Sequence, residues 1–306
     1  MAGDMLRRWR QQRDRRRGAR IDAVEERGRR RQWFLLSGRR ERLDPVALDI
    51  VGLHPLYPPP DQFWADPFVW SRDGRHHCFF EARPDHLKRG HIRAWELDPS
   101  GRPVGESFPV IDEPHHLSYP FVFAHGGELF MIPECSEQHR VDLYGCVRYP
   151  DRWERTRPLM HGLRLSDCTL FAHDGLWWLF CAARKGRLRV NETLFAFHAE
   201  DPLGDRWTPH AGNPIVRDYG GARPAGRIQH DSDGRLLRPA QDCIRRYGHG
   251  LSLNRIMELT PERYAEERVW HGSGETIGGW HGMHHLDWQD GMLVMDAQRL
   301  IPADSA

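Results

Sequence analysis

ADPFVW (residues 65–70), DG (73–74) and HCFFE (77–81) stand in a row near the first quarter of the chain. Two short apolar runs joined by Asp-Gly signal a β-hairpin, because a tight two-residue turn needs positive φ at both central positions. The arrangement returns as SYPFVF (118–123), GG (126–127) and LFMIPE (129–134). It returns again as SDCTLF (166–171), DG (174–175) and WWLFC (177–181). A fourth copy reads AGRI (225–228), DG (233–234) and LLRPAQD (236–242). The fifth reads MHHLD (283–287), DG (290–291) and MLVMD (292–296). The turn glycines lie 53, 48, 59 and 57 residues apart. Further strand-like runs fall between the hairpins: IRAWEL (92–97), VDLY (141–144), ETLFAF (192–197) and LSLNRI (251–256). Each unit then holds about four strands, and five such units predict an all-β fold, a five-bladed β-propeller. A β-sandwich is the rival, but the repeat is too long for one pair of sandwich strands.

Outward from the repeats, QWFLLSG (32–38) reads as a first strand, and LHPLYPPP (53–60) cannot be helical. Residues 1–45 hold 15 arginines and no lysine against 7 acidic residues, while the remainder is net acidic. This divides the chain into a basic, partly helical N-terminal arm (1–45) and the propeller domain (46–306). A basic arm is either a solvated surface helix or a contact for an acidic partner or anionic surface. The whole chain has only two lysines, Lys88 and Lys185, so arginine is simply its common base. No apolar run is long enough for a transmembrane segment, no stretch reads as a secretory leader, and six cysteines lack any CxxC pair. A cytoplasmic chain is the expectation.

The opening FWADPF (63–68) resembles the five-bladed propeller glycosidases of the arabinanase, xylosidase and invertase superfamily. A closer resemblance is carried by WADPF, FFEA, SYPFVF, MIPE, DCTLF, WWLF, ARPAGRI, RPAQDC and GMHHLD, in that order. These strings look like the propeller domain of plant glucosamine inositolphosphorylceramide transferases and of bacterial relatives, some fused to formyltransferase-like domains. The resemblance spans about residues 50–300 and leaves the arm outside. It implies that Asp66, the acid before Pro67 on the innermost strand of blade one, is a catalytic carboxylate. It also implies that a fifth-blade histidine neighbours an axial Ca²⁺ or water. No other cofactor is expected, and no metal-ligand set is read from the spacing of histidines and cysteines.

In a propeller the first strand of each blade lines the axis, so matching positions converge. Glycoside chemistry needs one carboxyl to give a proton and another to activate water or attack carbon. Asp66 is expected as base or nucleophile and Asp167 as acid, with Glu81 and Glu134, which end the second strands of blades one and two, as further acid/base candidates. Each has a structural alternative: a turn residue for the aspartates, an ion pair with arginine for the glutamates. Blade two presents Tyr119 where the glycosidase pattern has a second Asp, which departs from ordinary hydrolysis. Arg184, Arg223, Arg227 and Arg238 either bind phosphate or carboxylate or satisfy blade-end acids. Gln241 and Asp242 read as sugar-hydroxyl ligands or structural hydrogen-bonders. One of His284 and His285 is expected in the pocket, since neighbours on a strand face opposite sides. Trp64 offers a stacking wall for a sugar ring or a core residue.

No phosphate-binding P-loop, dinucleotide fingerprint or nucleophile elbow occurs. The expected function is a carbohydrate-active enzyme, by glycosyl transfer or glycoside hydrolysis, acting on an anionic or nucleotide-activated sugar. The alternatives are a non-catalytic glycan-binding or scaffold propeller, or a propeller pocket turned to other biosynthetic chemistry.

Overall fold

The computed structural model describes residues 2–42, 48, 50–231 and 233–303. Helix α1 (Ala2–Glu25) leads into β1 (Arg29–Arg39) and the short β2 (His54–Leu56). The first blade follows as β3 (Gln62–Arg72), β4 (Arg75–Pro84), β5 (His91–Leu97) and β6 (Pro103–Ile111). The second is β7 (Ser118–His125), β8 (Glu128–Glu134), β9 (Arg140–Arg148) and β10 (Arg152–His161). The third is β11 (Leu165–His173), β12 (Leu176–Ala183), β13 (Thr193–Ala199) and β14 (Thr208–Pro209), with β15 (Val216–Arg217) also paired to β13. The fourth is β16 (Gln229–His230), β17 (Leu236–Asp242), β18 (Gly250–Leu259) and β19 (Tyr264–Ser273). The fifth takes β20 (Leu286–Gln289) and β21 (Met292–Pro302) from the end of the chain and β1 and β2 from its beginning. The five-bladed propeller expected from the repeats is the fold.

The hairpin turns explain why the repeat is legible. Asp73-Gly74, Gly126-Gly127, Asp174-Gly175 and Asp290-Gly291 all have positive φ at both positions, the conformation that matches the twist of the strands they join. The side chains then pack between neighbouring blades. Phe68, Phe121, Leu170 and Leu179 share one cluster across blades one to three. Phe34, Leu251, Leu293 and Met295 share another across blades four and five. Each such side chain stabilises the ring by about 1.5–3 kcal/mol through burial alone.

Ring closure differs from the division drawn on charge. β1, assigned by charge to the arm, runs antiparallel to β21 from Arg29↔Pro302 to Arg39↔Met292. Its apolar centre (Trp33, Phe34, Leu35, Leu36) is buried, and that burial outweighs the basic ends that made it look like arm. The division point at 45/46 lies outside the described residues.

The arm itself is α1, and it docks through acids rather than through its arginines. Asp22 Oδ1 accepts from Arg245 Nε (2.9 Å) and from an Arg246 guanidinium nitrogen (2.8 Å). Glu25 takes a further Arg245 hydrogen bond at 2.8 Å, and Gln11 Nε2 donates to Asp218 at 2.5 Å. Apolar burial adds little to this docking: Trp9 and Val24 stay exposed. No helix among the described residues is long and apolar enough to cross a membrane.

Removing residues 1–28 is expected to preserve cooperative thermal unfolding, whereas removing 1–39 takes away an entire strand of the closing blade and abolishes it. Phe34→Ala in the full chain should cost about 3–5 kcal/mol in a urea titration.

Candidate active site on the propeller axis

Three inner strands carry the same irregularity at the same place. The ladder of β3 with β4 skips between Ala65 and Phe68, that of β7 with β8 between Ser118 and Phe121, and that of β11 with β12 between Ser166 and Thr169. At each skip one residue sits in the left-handed region: Asp66 (φ 52°), Tyr119 (φ 46°) and Asp167 (φ 56°). Such a bulge re-aims the side chain and leaves a backbone N–H to be satisfied elsewhere. For Tyr this conformation is strained, and strain of this kind persists only where surrounding contacts over-determine it. Blade four places Gly226 there, at φ 133°, where a Cβ would stand 1.8 Å from the Leu286 carbonyl oxygen. Only glycine fits.

Carboxylates capture the freed N–H groups. Asp66 N–H donates to Asp296 Oδ2 (3.0 Å), Asp167 N–H to Glu134 Oε2 (3.1 Å) and Tyr119 N–H to Asp66 Oδ2 (3.3 Å). Gly226 N–H donates to the Tyr119 hydroxyl at 2.9 Å, and that hydroxyl also bonds Thr169 Oγ1 at 2.8 Å. Blade contacts blade through these bonds, and Asp66, Glu81, Glu134, Asp167 and Asp296 are drawn together around the start of the inner strands.

Two cations balance part of this charge. Arg223 grips Asp167 with two nitrogens, Nε to Oδ2 at 2.5 Å and a terminal nitrogen to Oδ1 at 3.3 Å. Its other terminal nitrogen donates to Asn191 Oδ1 (2.8 Å), and its guanidinium lies 4.9 Å from the Tyr247 ring centre. His284 stands between two acids. Nδ1 makes a close ionic contact, without in-line hydrogen-bond geometry, to Asp296 Oδ2 at 2.6 Å, and Nε2 is 3.7 Å from Asp66 Oδ1. The imidazole stacks on Trp33, with centres 4.1 Å apart and planes 17° from parallel. The His284 ring is held above its usual pKa: burial opposes the charge, but Asp296 outweighs it.

Burial raises the pKa of three of the acids. Burial first, then the charge of Asp167, pushes Glu134 up to about 8. Burial likewise lifts Asp66 to about 7, offset in part by His284. Glu81 is pushed well above the carboxylate range by burial and by Asp66, and its Oε1 finds no hydrogen-bond partner among the described residues. Asp296 stays low, because His284 and the backbone N–H groups outweigh its burial.

Other residues read from the sequence as ligands stand elsewhere. The Tyr119 ring is wholly buried and its hydroxyl is spent on Thr169 and Gly226. His285 is also sealed, edge-on to Phe68 and Tyr119, and burial drops its pKa to about 3. The two histidines precede β20, so alternation along a strand does not apply to them. Arg227 lies deeper on the axis, paired with Asp287 (3.1 Å) and with the Val122 carbonyl (2.9 Å) over the Phe121 ring. Arg238 is buried against Glu266 within blade four, at 2.7 Å. Gln241 donates to the Pro224 carbonyl, and Asp242 accepts from His271 (2.7 Å) and from Ile244 N–H (2.8 Å). Trp64 packs on Phe80 and Trp95 inside blade one. Arg184 is exposed in the loop after β12. For Tyr119, Arg227, Arg238, Gln241 and Asp242 a local partner engages the polar group before the axis is reached, whereas the His285 ring nitrogens and Trp64 Nε1 are buried without a hydrogen-bond partner among the described residues.

Trp33, Asn191, Tyr247 and Asp296 were missed. Asp296 had a signal: it ends MLVMD as Glu81 ends HCFFE and Glu134 ends LFMIPE. The other three come from strands and loops outside the hairpin repeat, and no sequence signal marks them.

Two sets of donors converge closely enough for a metal, Asp66 with His284 and Asp296, and His115 with Cys135 and Asp142. The axial set does not fit the Ca²⁺ implied by resemblance. Ca²⁺ takes six to eight oxygens. Asp296 already accepts N–H bonds from Asp66, His284 and His285, and one Asp66 oxygen accepts from Tyr119.

Residues 53–296 match the family described as "Glucosamine inositolphosphorylceramide transferase 1, N-terminal". The protein named glucosamine inositolphosphorylceramide transferase 1 from Oryza sativa subsp. japonica is 35% identical over 260 residues, covering 80% of this chain and 34% of the relative. That of Arabidopsis thaliana is 34% identical over 236 residues, covering 74% and 30%. The chain thus spans about a third of the length of these curated relatives. Among solved structures, the catalytic domain of a Coprinopsis cinerea GH62 α-L-arabinofuranosidase superposes with TM-score 0.58 at 10% identity, over 87% of this chain and 97% of that one. An exo-β-1,3-galactanase from Clostridium thermocellum gives 0.51 at 13%, over 77% and 59%. At these identities the structural likeness shows the fold alone.

Arg223→Ala strands a buried carboxylate at Asp167. It is expected to destabilise the protein by about 3–5 kcal/mol in denaturant unfolding, and an added Asp167→Asn should recover much of that loss.

Proposed function

The chain belongs to the family of glucosamine inositolphosphorylceramide transferase 1 N-terminal domains, and from that premise we propose that its axial site acts on a glycosyl group by carboxylate acid/base chemistry. Family membership and relatives named as transferases support a carbohydrate-active role. Glycosyl transfer, rather than hydrolysis, is our reading of the finer step. The observation that carries it is the convergence of buried Asp66 and half-buried Glu134 on the bulged Tyr119 and Asp167 backbones beside the Asp167–Arg223 pair, with the two carboxyls pushed to about 7 and about 8.

The roles differ from those read in the sequence. Asp167 has both oxygens engaged by Arg223, so we assign it to holding that guanidinium rather than to giving a proton. Glu134 holds a proton at neutral pH and serves as the acid. Asp66, raised to about 7, gives up its proton before Glu134 does and serves as the base toward an acceptor hydroxyl. His284, between Asp66 and Asp296, orients and recharges the base. Arg223, backed by Asn191 and Tyr247 at the exposed rim, is the cation for an anionic or nucleotide-activated sugar. A second reading, glycan binding without turnover, draws on the same Asp167–Arg223 pair, because a site so tightly ion-paired suits recognition.

Turnover of a nucleotide-activated sugar should fall about 10²–10⁴-fold in Asp66→Asn and Glu134→Gln, with sugar affinity kept within a few-fold in calorimetry. The wild-type kcat/KM should rise with pH as Asp66 loses its proton near 7 and fall as Glu134 loses its proton near 8. The falling limb should vanish in Glu134→Gln. Tight binding with no turnover in the unaltered protein would decide for the second reading.

A further inference from the structure

Away from the carboxylates, α1 and the loop between β12 and β13 face each other across a cleft of about 690 Å³. Arg15 and Arg16 enter it from the helix, and Arg187 and Arg189 from the loop. Tyr219 forms the floor, with the Arg15 guanidinium 4.1 Å over its ring centre, and Trp9, 59% exposed, stands at the rim. Four guanidiniums share the space with one carboxylate, Glu192, whose Oε1 accepts the Arg189 backbone N–H at 2.8 Å.

Like charges in one cleft repel, and these are not allowed to drift apart. The helix is anchored on either side by Gln11 to Asp218 and by Asp22 to Arg245 and Arg246. Among the described residues Arg16, Arg187 and Arg189 form no side-chain ion pair with any acid. A fixed group of four guanidiniums with a single carboxylate among them, next to an aromatic ring, matches an anion with several oxygens. Guanidinium forks bind phosphate bidentately, and several converging on one group give a charge-assisted site. The volume is that of a small-molecule pocket rather than a macromolecular groove.

We propose that this cleft binds a phosphate ester, either a nucleoside diphosphate or the phosphodiester of a lipid headgroup. The two share the oxygens that the arginines recognise. The loop gives the cleft a functional neighbour: Asn191, two residues beyond Arg189, accepts from Arg223 of the axial site. The inference stands on the arginines and does not require the axial carboxyls to be catalytic.

The full chain is titrated with UDP by calorimetry. Separately, it is sedimented with vesicles of phosphatidylcholine, with and without phosphatidylinositol. One probe should bind, more weakly as salt rises. UDP binding identifies the nucleotide source, and binding only to phosphatidylinositol vesicles identifies the headgroup source. The exposed double variant Arg187→Ala/Arg189→Ala should weaken that probe about tenfold or more, and Arg16→Ala on the opposite wall should weaken the same probe, both with unchanged thermal melts. Absence of binding to either probe overturns the proposal. So does an unaltered affinity in the double variant, or an effect of the loop variants without one from Arg16→Ala. Axial turnover is read independently, so failure here leaves the acid/base assignment standing.

Discussion

The carboxylate of Asp296 holds the ring shut and the site in place at once. It accepts the N–H of Asp66 from the first blade and those of His284 and His285 from the fifth, and it touches the His284 ring at 2.6 Å. Its own strand, β21, is paired at that position with Leu35 of β1. The bond that joins the last blade to the first is therefore the bond that sets the backbone of Asp66. Burying a lone carboxylate would be prohibitive, but three N–H donors and the adjacent His284 ring hold the pKa of this one down. A propeller must close between its ends, and here closure and site geometry share one side chain.

From that fixed point the charge balance of the axis follows. Asp66, Glu81, Glu134, Asp167 and Asp296 converge on Arg223 and His284, so acids outnumber cations. The excess is met by proton retention rather than by recruiting more arginine. Asp167 and Asp296 take the two cations, and the other three are driven upward by burial and by one another. Arginine is abundant in the chain, yet Arg227 and Arg238 are committed to Asp287 and Glu266 outside this group. Sites tuned to hold protons at neutral pH arise in this way, by withholding counter-charges from buried acids.

The blades were legible because their turns need residues that few other structures demand. Asp-Gly at 73–74, 174–175 and 290–291 announces a left-handed pair, and the alternating runs around it have no helical period. Asp66, Asp167, Glu81 and Glu134 were legible as site residues because each ends or begins a run at the same place in the repeat. What stayed hidden is mostly conformational. Nothing in SYPF announces that Tyr119 adopts φ 46° and turns its hydroxyl into the core. Arg223 and Arg238 are alike as letters, and only the fold shows that one faces Asp167 and the other Glu266. Strand β1 was legible as a strand in QWFLLSG, but its charged ends placed it in the arm, since its termini are exposed while its middle is buried.

The helix poses the same problem of charge in reverse. Its arginines make it look like an arm seeking an acidic partner, yet Asp22 and Glu25 do the docking, on Arg245 and Arg246. Both acids meet arginine on the propeller, and the buried Asp22 pairs, shielded from water, are worth more than the exposed Glu25 pair. The helix arginines at the cleft, 15 and 16, do not repay a neighbouring acid in this way, and they meet Arg187 and Arg189 instead. An arrangement that places four cations around one carboxylate, Glu192, leaves an excess of positive charge that a bound anion would offset. The same reasoning that makes Glu134 a proton holder, an excess of one sign in a confined space, makes this cleft an anion site.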